Sequence, residues 1–153
     1  MPNFKEHYKY AKYTSIITGI ISTAITQNIA IGLTSTFNTI FSSLYPDSDI
    51  KSHSQKFIVI SLILINLIAI IMNPLHILNI TVFSISCFLI LVGLLTKHRS
   101  ITHNFIFGLV LQALILIAIN SMFPLILLQN IAIMASGYIG FSLHILLDTF
   151  KKD

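Results

Sequence analysis

The residues in this chain most able to do chemistry are histidines and aspartates that occur in a few short polar stretches. The stretch Lys97–Asn104 reads KHRSITHN and contains His98, His103 and Arg99, the only arginine in the chain. Imidazoles bind divalent metals, and the planar guanidinium of arginine binds phosphate or carboxylate. The stretch is therefore a candidate metal and anion site. The alternative is a basic flank that anchors a helix end at lipid head groups.

The spacing of the two histidines in this stretch predicts a turn. Side chains five residues apart on a regular helix point about 140° away from each other. A turn, with Ser100 or Thr102 capping the next helix, would direct His103 back toward the surface. We expect His103 to be a metal ligand in the first turn of that helix. For His98 the two interpretations, a metal ligand and part of a basic flank, are equally supported.

His144 and Asp148 stand near the end of the chain in the run GYIGFSLHILLD. Residues i and i+4 share one face of a helix, so the pair could bind one ion, or one could orient the other. A His–Asp hydrogen bond that locks the helix end is the simpler interpretation of the pair alone. Gly137 and Gly140 extend the same stripe, which predicts the close approach of another helix.

Two further polar stretches contain potential ligands. Asp47 and Asp49 stand in PDSD, and His7 lies in the basic aromatic stretch FKEHYKYAKY. Two carboxylates in one turn can converge on a hard cation, and oxygen ligands suit Mg, Mn or Zn. A solvated turn is the alternative for PDSD, with His53 nearby as a flanking residue. His7 alone would be an interfacial residue.

Three charge-free tracts, residues 13–46, 57–96 and 104–147, separate the polar stretches. Each tract is roughly twice as long as one membrane-spanning helix, which needs about 20 residues. Each has a turn signal near its middle, because Asn and Pro favour turns. The signals are Gln27-Asn28, Asn73-Pro74, and Asn120-Ser121 followed by Pro124. The sequence therefore predicts an all-α integral membrane bundle of about six apolar segments, arranged as three hairpins.

The first hairpin is the shortest of the three. Arms of about 15 residues give about 22 Å of helix, whereas the hydrocarbon core is about 30 Å thick. The tract is also rich in Ser and Thr. A partly re-entrant segment is therefore an alternative to a full crossing. Either geometry returns Asp47 to the side of the membrane on which His7 lies.

The composition supports the membrane assignment. Of the 153 residues, 55% are hydrophobic and 9% are charged, against about 25% charged residues in soluble domains. The length suits a single domain spanning residues 1–153. Cys87 is the only cysteine, which excludes an intramolecular disulfide. The basic residues are dispersed among membrane flanks, so nucleic-acid binding has no support.

The hairpin arrangement places all Lys and Arg residues on one side of the membrane. The positive-inside rule makes that side cytoplasmic, with both termini inside a multi-pass protein of the inner (plasma) membrane. Five of the six histidines lie on the same side, and His76 is the exception. Ionisable groups at membrane helix ends are costly unless they are paired or functional. Their convergence predicts a metal site.

At these residues the chain resembles the YdjM-like, LexA-regulated family of inner-membrane metal-dependent hydrolases. The likeness lies in MPNFKEH, YPDSD, HRSITHN and GYIGFSLHILLD, in matching order and spacing over nearly the whole chain. The HR-x-x-TH core of the family is usually followed by Ser, whereas this chain has Asn104 there. The closing His-x-x-x-Asp is also similar to zinc-dependent phospholipase C and related nucleases.

The resemblance implies which residues form the site. Seven are candidate metal ligands, namely His7, Asp47, Asp49, His98, His103, His144 and Asp148. Arg99 and Thr102 are implied as the catalytic partners of these ligands.

The expected function is a metal-dependent hydrolase that acts at the cytoplasmic face. One or two divalent ions are expected, zinc in the first place, with Mn or Mg as alternatives. A bound ion lowers the pKa of water from 15.7 to about 7 in the best zinc sites, so activated water could cleave a phosphoester or ester. Arg99 would hold a phosphate or carboxylate. The partners expected are membrane lipid and a small-molecule or lipid-linked substrate.

Two other functions fit the same sequence. A non-enzymatic membrane protein would have His and Asp only as interfacial flanks. A metal-ion carrier should place its ligands near the bilayer midplane. The apolar tracts offer only His76 there, which disfavours transport.

Overall fold

The computed structural model describes residues 4–49, 53–72, 78–95 and 101–150. In these ranges the chain forms six α-helices and two short 3-10 helices, with no strand. The α-helices are α1 (Phe4–Thr26), α2 (Ile29–Leu44), α3 (His53–Met72), α4 (Leu78–Leu95), α5 (Phe105–Met122) and α6 (Leu127–Phe150). The 3-10 helices are Tyr45–Asp49 and Ile101–His103. The prediction of an all-α chain is confirmed.

Consecutive helices pack in pairs, α1 with α2, α3 with α4, and α5 with α6. Helix α6 also packs against α1 and α2, and α4 packs against α5. Helices α3 and α4 both contact the 3-10 helix Tyr45–Asp49. Because each pair turns back on itself, the starts of α1, α3 and α5 and the ends of α2, α4 and α6 lie at one end of the bundle.

Polar side chains form the turns within the pairs. Gln27 has a φ of 51°, in the left-handed region, and separates α1 from α2. Asn28 then caps α2, because its side-chain oxygen accepts from the backbone N–H of the second helical residue. Between α5 and α6 the amide of Asn120 donates to the Asn130 side chain over 2.6 Å. The predicted break at Asn73-Pro74 falls within residues 73–77, outside the described residues.

Helices α1 and α2 are polar inside and apolar outside. Where they meet, the hydroxyls of Thr18 and Thr39 are 2.8 Å apart and both residues are buried. The outward face of α1 exposes isoleucines, namely Ile16, Ile17, Ile20, Ile21 and Ile25. An exposed apolar face is unfavourable in water and suits contact with lipid chains. This first pair therefore has a surface suited to a bilayer.

Small residues bring α6 against α2. A Cβ atom added at Gly140 would collide with the backbone carbonyl oxygen of Thr39, so only glycine fits there at this helix spacing. The hydroxyl of Thr39 in turn donates to the carbonyl oxygen of Ser136 on α6 over 3.0 Å. The close approach predicted from the glycine stripe is therefore present, and it fixes α6 relative to α2.

Three helices in the described part of the chain are long and apolar enough to cross a membrane. They are His53–Ile71, Phe105–Met122 and Leu127–Phe150, and a shorter apolar helix covers Asn79–Leu95. Helix α2 has 16 residues, or about 24 Å at 1.5 Å per residue. The structure thus supports membrane helices, and the crossing of all six helices stays a prediction.

Candidate metal centre

Residues from three separate parts of the chain meet at the end of the bundle where α1 begins and α6 ends. Asp47 lies in the 3-10 helix after α2, and His103 ends the 3-10 helix before α5. His144 and Asp148 lie one turn apart near the end of α6. The side chains of these four residues each offer one ligand atom, and the four atoms all lie within 4.8 Å of one another.

A buried tyrosine fixes the position of Asp47. The hydroxyl of Tyr45 donates to the carbonyl oxygen of Leu89 on α4 over 2.7 Å, and its side chain is fully buried. The ring also lies 6.0 Å from Phe41 and 5.9 Å from Phe107, measured between centroids. The turn that carries Asp47 is therefore attached to α4 and α5 as well as to α2.

A helix cap fixes the position of His103. The side-chain oxygen of Asn104 accepts from the backbone N–H of Ile106 over 2.8 Å, which makes Asn104 the N-cap of α5. The expectation that Ser100 or Thr102 caps this helix is therefore wrong. The expectation that His103 lies inside the first helical turn is also wrong, because His103 stands just before the cap.

The four ligand atoms alternate between nitrogen and oxygen. His144 Nε2 is 3.5 Å from Asp47 Oδ1 and 3.9 Å from Asp148 Oδ2. His103 Nε2 is 3.5 Å from Asp148 Oδ2 and 3.9 Å from Asp47 Oδ1. Each imidazole nitrogen thus faces both carboxylates at a distance too long for a good hydrogen bond.

These distances fit donors arranged around a cation. Zinc binds imidazole nitrogen and carboxylate oxygen at about 2.0–2.2 Å, so neighbouring donors of a tetrahedral ion are about 3.4 Å apart. The separations of 3.5 and 3.9 Å between the imidazole nitrogens and the carboxylate oxygens are close to that value. A small inward movement of the donors would bring all four within bonding distance of one ion.

His7 contacts the cluster from α1. Its Nε2 lies 3.1 Å from Asp148 Oδ1, whereas His103 faces the other oxygen of that carboxylate, Oδ2. Its ring stacks on that of His144, with centroids 4.0 Å apart and an interplanar angle of 18°. His7 therefore orients Asp148 and covers one face of His144. In metal sites, such outer partners hold the ligands in place.

Buried imidazole atoms indicate that the cluster is built for a further partner. Among the described residues, Nδ1 of His7 and both ring nitrogens of His144 are buried and have no hydrogen-bond partner. Leaving a buried polar atom unsatisfied costs about 1–3 kcal/mol. A cation between the carboxylates would satisfy Nε2 of His144, so the residues present fit a divalent metal.

The charge state of Asp47 suits metal binding. Burial by itself raises the pKa of this carboxyl group, but the neighbouring imidazoles of His144 and His7 lower it by more. The net result is a pKa below the usual range of aspartate. Asp47 is therefore ionised at neutral pH and can act as an anionic ligand.

Thr102 contributes to the orientation of His103. Its side chain is fully buried, and its hydroxyl oxygen is 3.3 Å from Nδ1 of His103. If Nδ1 carries the proton and donates it to this hydroxyl, the lone pair of Nε2 faces the carboxylates. This is the tautomer that a metal ligand needs.

The structure brings together five of the predicted site residues: His7, Asp47, His103, His144 and Asp148. Asp49 is the last residue of the 3-10 helix Tyr45–Asp49. His98 and Arg99 lie outside the described residues. His53, interpreted as a flank, is exposed at the start of α3.

Sequence reasoning did not find a buried polar network that joins the three helices next to the site. The amide of Asn38 on α2 donates to Gln112 on α5 over 2.9 Å and to the carbonyl oxygen of Ile133 on α6 over 2.9 Å. Gln112 donates to Ser42 over 2.9 Å. Asn38 and Gln112 are isolated amides within apolar tracts, and such isolation is the signal for an interhelical contact.

Comparisons with protein-family models, with curated proteins and with solved structures find no match. The resemblance to the YdjM-like family therefore stays a prediction from the motifs.

Proposed function

We propose that this chain is a membrane-embedded hydrolase that depends on one or two divalent metal ions, zinc in the first place. The observation that carries the proposal is the group of four donors, two imidazoles and two carboxylates, within 4.8 Å of one another at the end of the bundle. Zinc-binding enzymes use this mixture of donors, and the identity of the ion is part of the proposal.

Each residue of the cluster has a role in the proposed reaction. Asp47, His103, His144 and Asp148 bind the ion, and His7 orients Asp148. When bound, a divalent ion supplies Lewis-acid chemistry and brings the pKa of water towards neutrality.

The proposed substrate is a phosphoester or ester, with a lipid-linked substrate favoured because the site lies at the end of membrane helices. Arg99 stands four residues before His103 in the sequence. We assign to it the binding of a phosphate or carboxylate group through its planar fork. We assign to Thr102 the positioning of the His103 ring.

The number of protein donors limits what the ion can do. Four protein ligands close a tetrahedral zinc site, whereas a catalytic ion keeps a position for water. The proposal therefore requires a five- or six-coordinate ion, or one carboxylate that leaves the ion when substrate binds. A closed site with a structural role is the second candidate function, and it is favoured by the same four donors.

The membrane arrangement in the proposal has all six helices crossing the inner membrane, with both termini in the cytoplasm. The apolar outward face of α1 supports the insertion of the first pair. A metal-ion carrier receives less support, because the four donors lie at the ends of helices and in the adjoining turns.

Elemental analysis of purified protein tests the metal site. We expect one or two equivalents of zinc in wild type and about tenfold or greater loss in His103→Ala, since a direct ligand is removed. His53→Ala is the matched control, because His53 is an exposed histidine at the start of α3. Equal metal content in all three proteins would remove the basis of the proposal.

X-ray absorption and hydrolysis assays then separate the two candidate functions. An ion with five or six ligands, together with metal-dependent cleavage of an aryl phosphoester, supports the hydrolase. A four-coordinate ion whose removal lowers the unfolding temperature, with no cleavage of phosphoesters or esters, supports the structural role.

A further inference from the structure

A cavity of about 400 Å³ lies between α2, α3, α4 and α5. Its volume is within the range of about 300–1,000 Å³ that ligand pockets have. Along α5 and its C-cap residue the lining extends from Ile115 to Phe123, or about 12 Å. On α4 it extends from Val82 to Leu89, in the first two-thirds of that helix. On α5 the lining lies in the half of the helix away from the metal centre, whereas on α2 and α4 it reaches Phe41 and Leu89, which contact Tyr45.

The walls of the cavity are almost entirely apolar. Among the described residues that line it, three are polar: Thr34, Asn38 and Ser86. The hydroxyl of Thr34 donates to the carbonyl oxygen of Ala30 over 2.8 Å. Asn38 belongs to the buried polar network, and Ser86 accepts from Asn66 over 2.7 Å. The remaining lining side chains are aliphatic, aromatic or methionine.

This chemistry selects among the possible occupants. Water in a buried site needs two to four polar partners, and each of the three polar residues in these walls already takes part in a hydrogen bond within the protein. A polar metabolite would also need groups that fix its orientation. A helix of a second copy is about 10 Å across, so a 12 Å length of it would need about twice the available volume. A single hydrocarbon chain needs no polar partner and is narrower than a helix, so it fits both the chemistry and the volume of the cavity.

The surroundings supply such a chain. The cavity is half-open, and two of the helices that line it, α3 and α5, are long and apolar enough to cross a membrane. Where such helices cross a bilayer, lipid chains surround the bundle and can enter an apolar cavity between its helices. We propose that the cavity holds one hydrocarbon chain of a membrane phospholipid, retained by the protein. This proposal is independent of the proposed hydrolase activity.

Mass spectrometry of the intact protein tests this proposal. Wild type is reconstituted in vesicles of dioleoyl phosphatidylcholine, extracted in mild detergent and released from micelles in the spectrometer. We expect one retained phospholipid per chain. Ala118→Trp fills the cavity and should lower the retained fraction at least about tenfold. Ala118→Leu should give a smaller loss, which covers the case in which the tryptophan variant does not fold.

Two controls identify the cause of any loss. Ile117→Trp places the same bulk on the exposed face of α5, beside Ala118, and should retain lipid like wild type. His103→Ala should also retain lipid, whether or not it loses metal, so failure of the metal proposal is separable from failure of this one. The proposal would be overturned if wild type retained no lipid. It would also be overturned if both Ala118 variants retained as much lipid as wild type. A wild-type dimer that Ala118→Trp converts to a monomer would overturn it as well, because the cavity would then hold part of a second copy.

Discussion

Asp148 contacts two imidazoles through different carboxylate oxygens, and this sharing defines the site at the scale of residues. Oδ1 faces His7 at 3.1 Å, and Oδ2 faces His103 at 3.5 Å. The simplest interpretation of HILLD, a hydrogen bond between His144 and Asp148, is not what forms, because His144 Nε2 is 3.9 Å from Asp148 Oδ2 and neither ring nitrogen of His144 has a hydrogen-bond partner in the described part of the chain. Both side chains instead point toward a shared centre with Asp47.

Replacing His7 tests whether it orients a ligand or binds an ion itself. In His7→Phe the ring can still stack on His144, but the 3.1 Å contact with Asp148 is lost. We expect the zinc affinity to fall about 10–100-fold with unchanged stoichiometry, as for other outer partners of metal ligands. Titration against a chromophoric chelator measures both quantities, with His53→Phe as the control. Loss of one equivalent of metal would instead make His7 a ligand of a second ion.

At the scale of elements, the sequence predicts the helices better than their contacts. Charge-free tracts and the Asn and Pro signals are local, so they mark the end of α1 just before Gln27 and the end of α5 before Pro124. Helix α1 is longer than the predicted arm of the first hairpin, because its 23 residues include the basic stretch that begins at Phe4. The link from Asn38 to Gln112 joins residues 74 apart, which no local pattern shows.

The contact between α2 and α6 should control the metal site from a distance. A methyl group at Gly140 would collide with the Thr39 carbonyl oxygen and move α6, which carries His144 one turn further along. We expect Gly140→Ala to cost about 1–3 kcal/mol of stability, as overpacking does. It should also weaken zinc binding. Thermal unfolding in detergent and chelator competition measure the two effects.

Ala135→Val provides the comparison for this substitution, since Ala135 is exposed on the same helix. It should leave both stability and zinc affinity close to wild type. If Gly140→Ala lowered stability but bound zinc normally, the geometry of the site would not depend on this helix contact.

At the scale of the whole molecule, the distribution of charge gives the bundle two different ends. Lys5, Lys9 and Lys12 are exposed on α1 at spacings of four and three residues, so they form one outward stripe. Tyr8 and Tyr13 are exposed beside them. Lysine and tyrosine are typical of membrane interfaces. The buried His7 lies on the other side of the same helix, so the metal centre stands at the level of this interface.

This asymmetry predicts the topology, and chemical labelling can test it. In a chain with Cys87→Ser, single cysteines at Gln27 and Pro124 occupy the turns of the first and third pairs, and Asn104 lies at the metal-centre end. If all six helices cross, a membrane-impermeant maleimide added outside intact cells should label the first two positions. Asn104→Cys should react only after the membrane is opened, as the positive-inside rule requires.

Labelling of Gln27→Cys distinguishes a first helix pair that crosses the membrane from one that is re-entrant. Helix α2 provides about 24 Å of length, less than a hydrocarbon core of about 30 Å, so the bilayer must thin locally or the turn must lie within it. A crossing hairpin makes Gln27→Cys reactive from outside, because its turn reaches the far interface. A re-entrant hairpin leaves it unreactive from either side while Pro124→Cys still reacts. That outcome would reduce the crossing helices to four and leave the metal centre where it is.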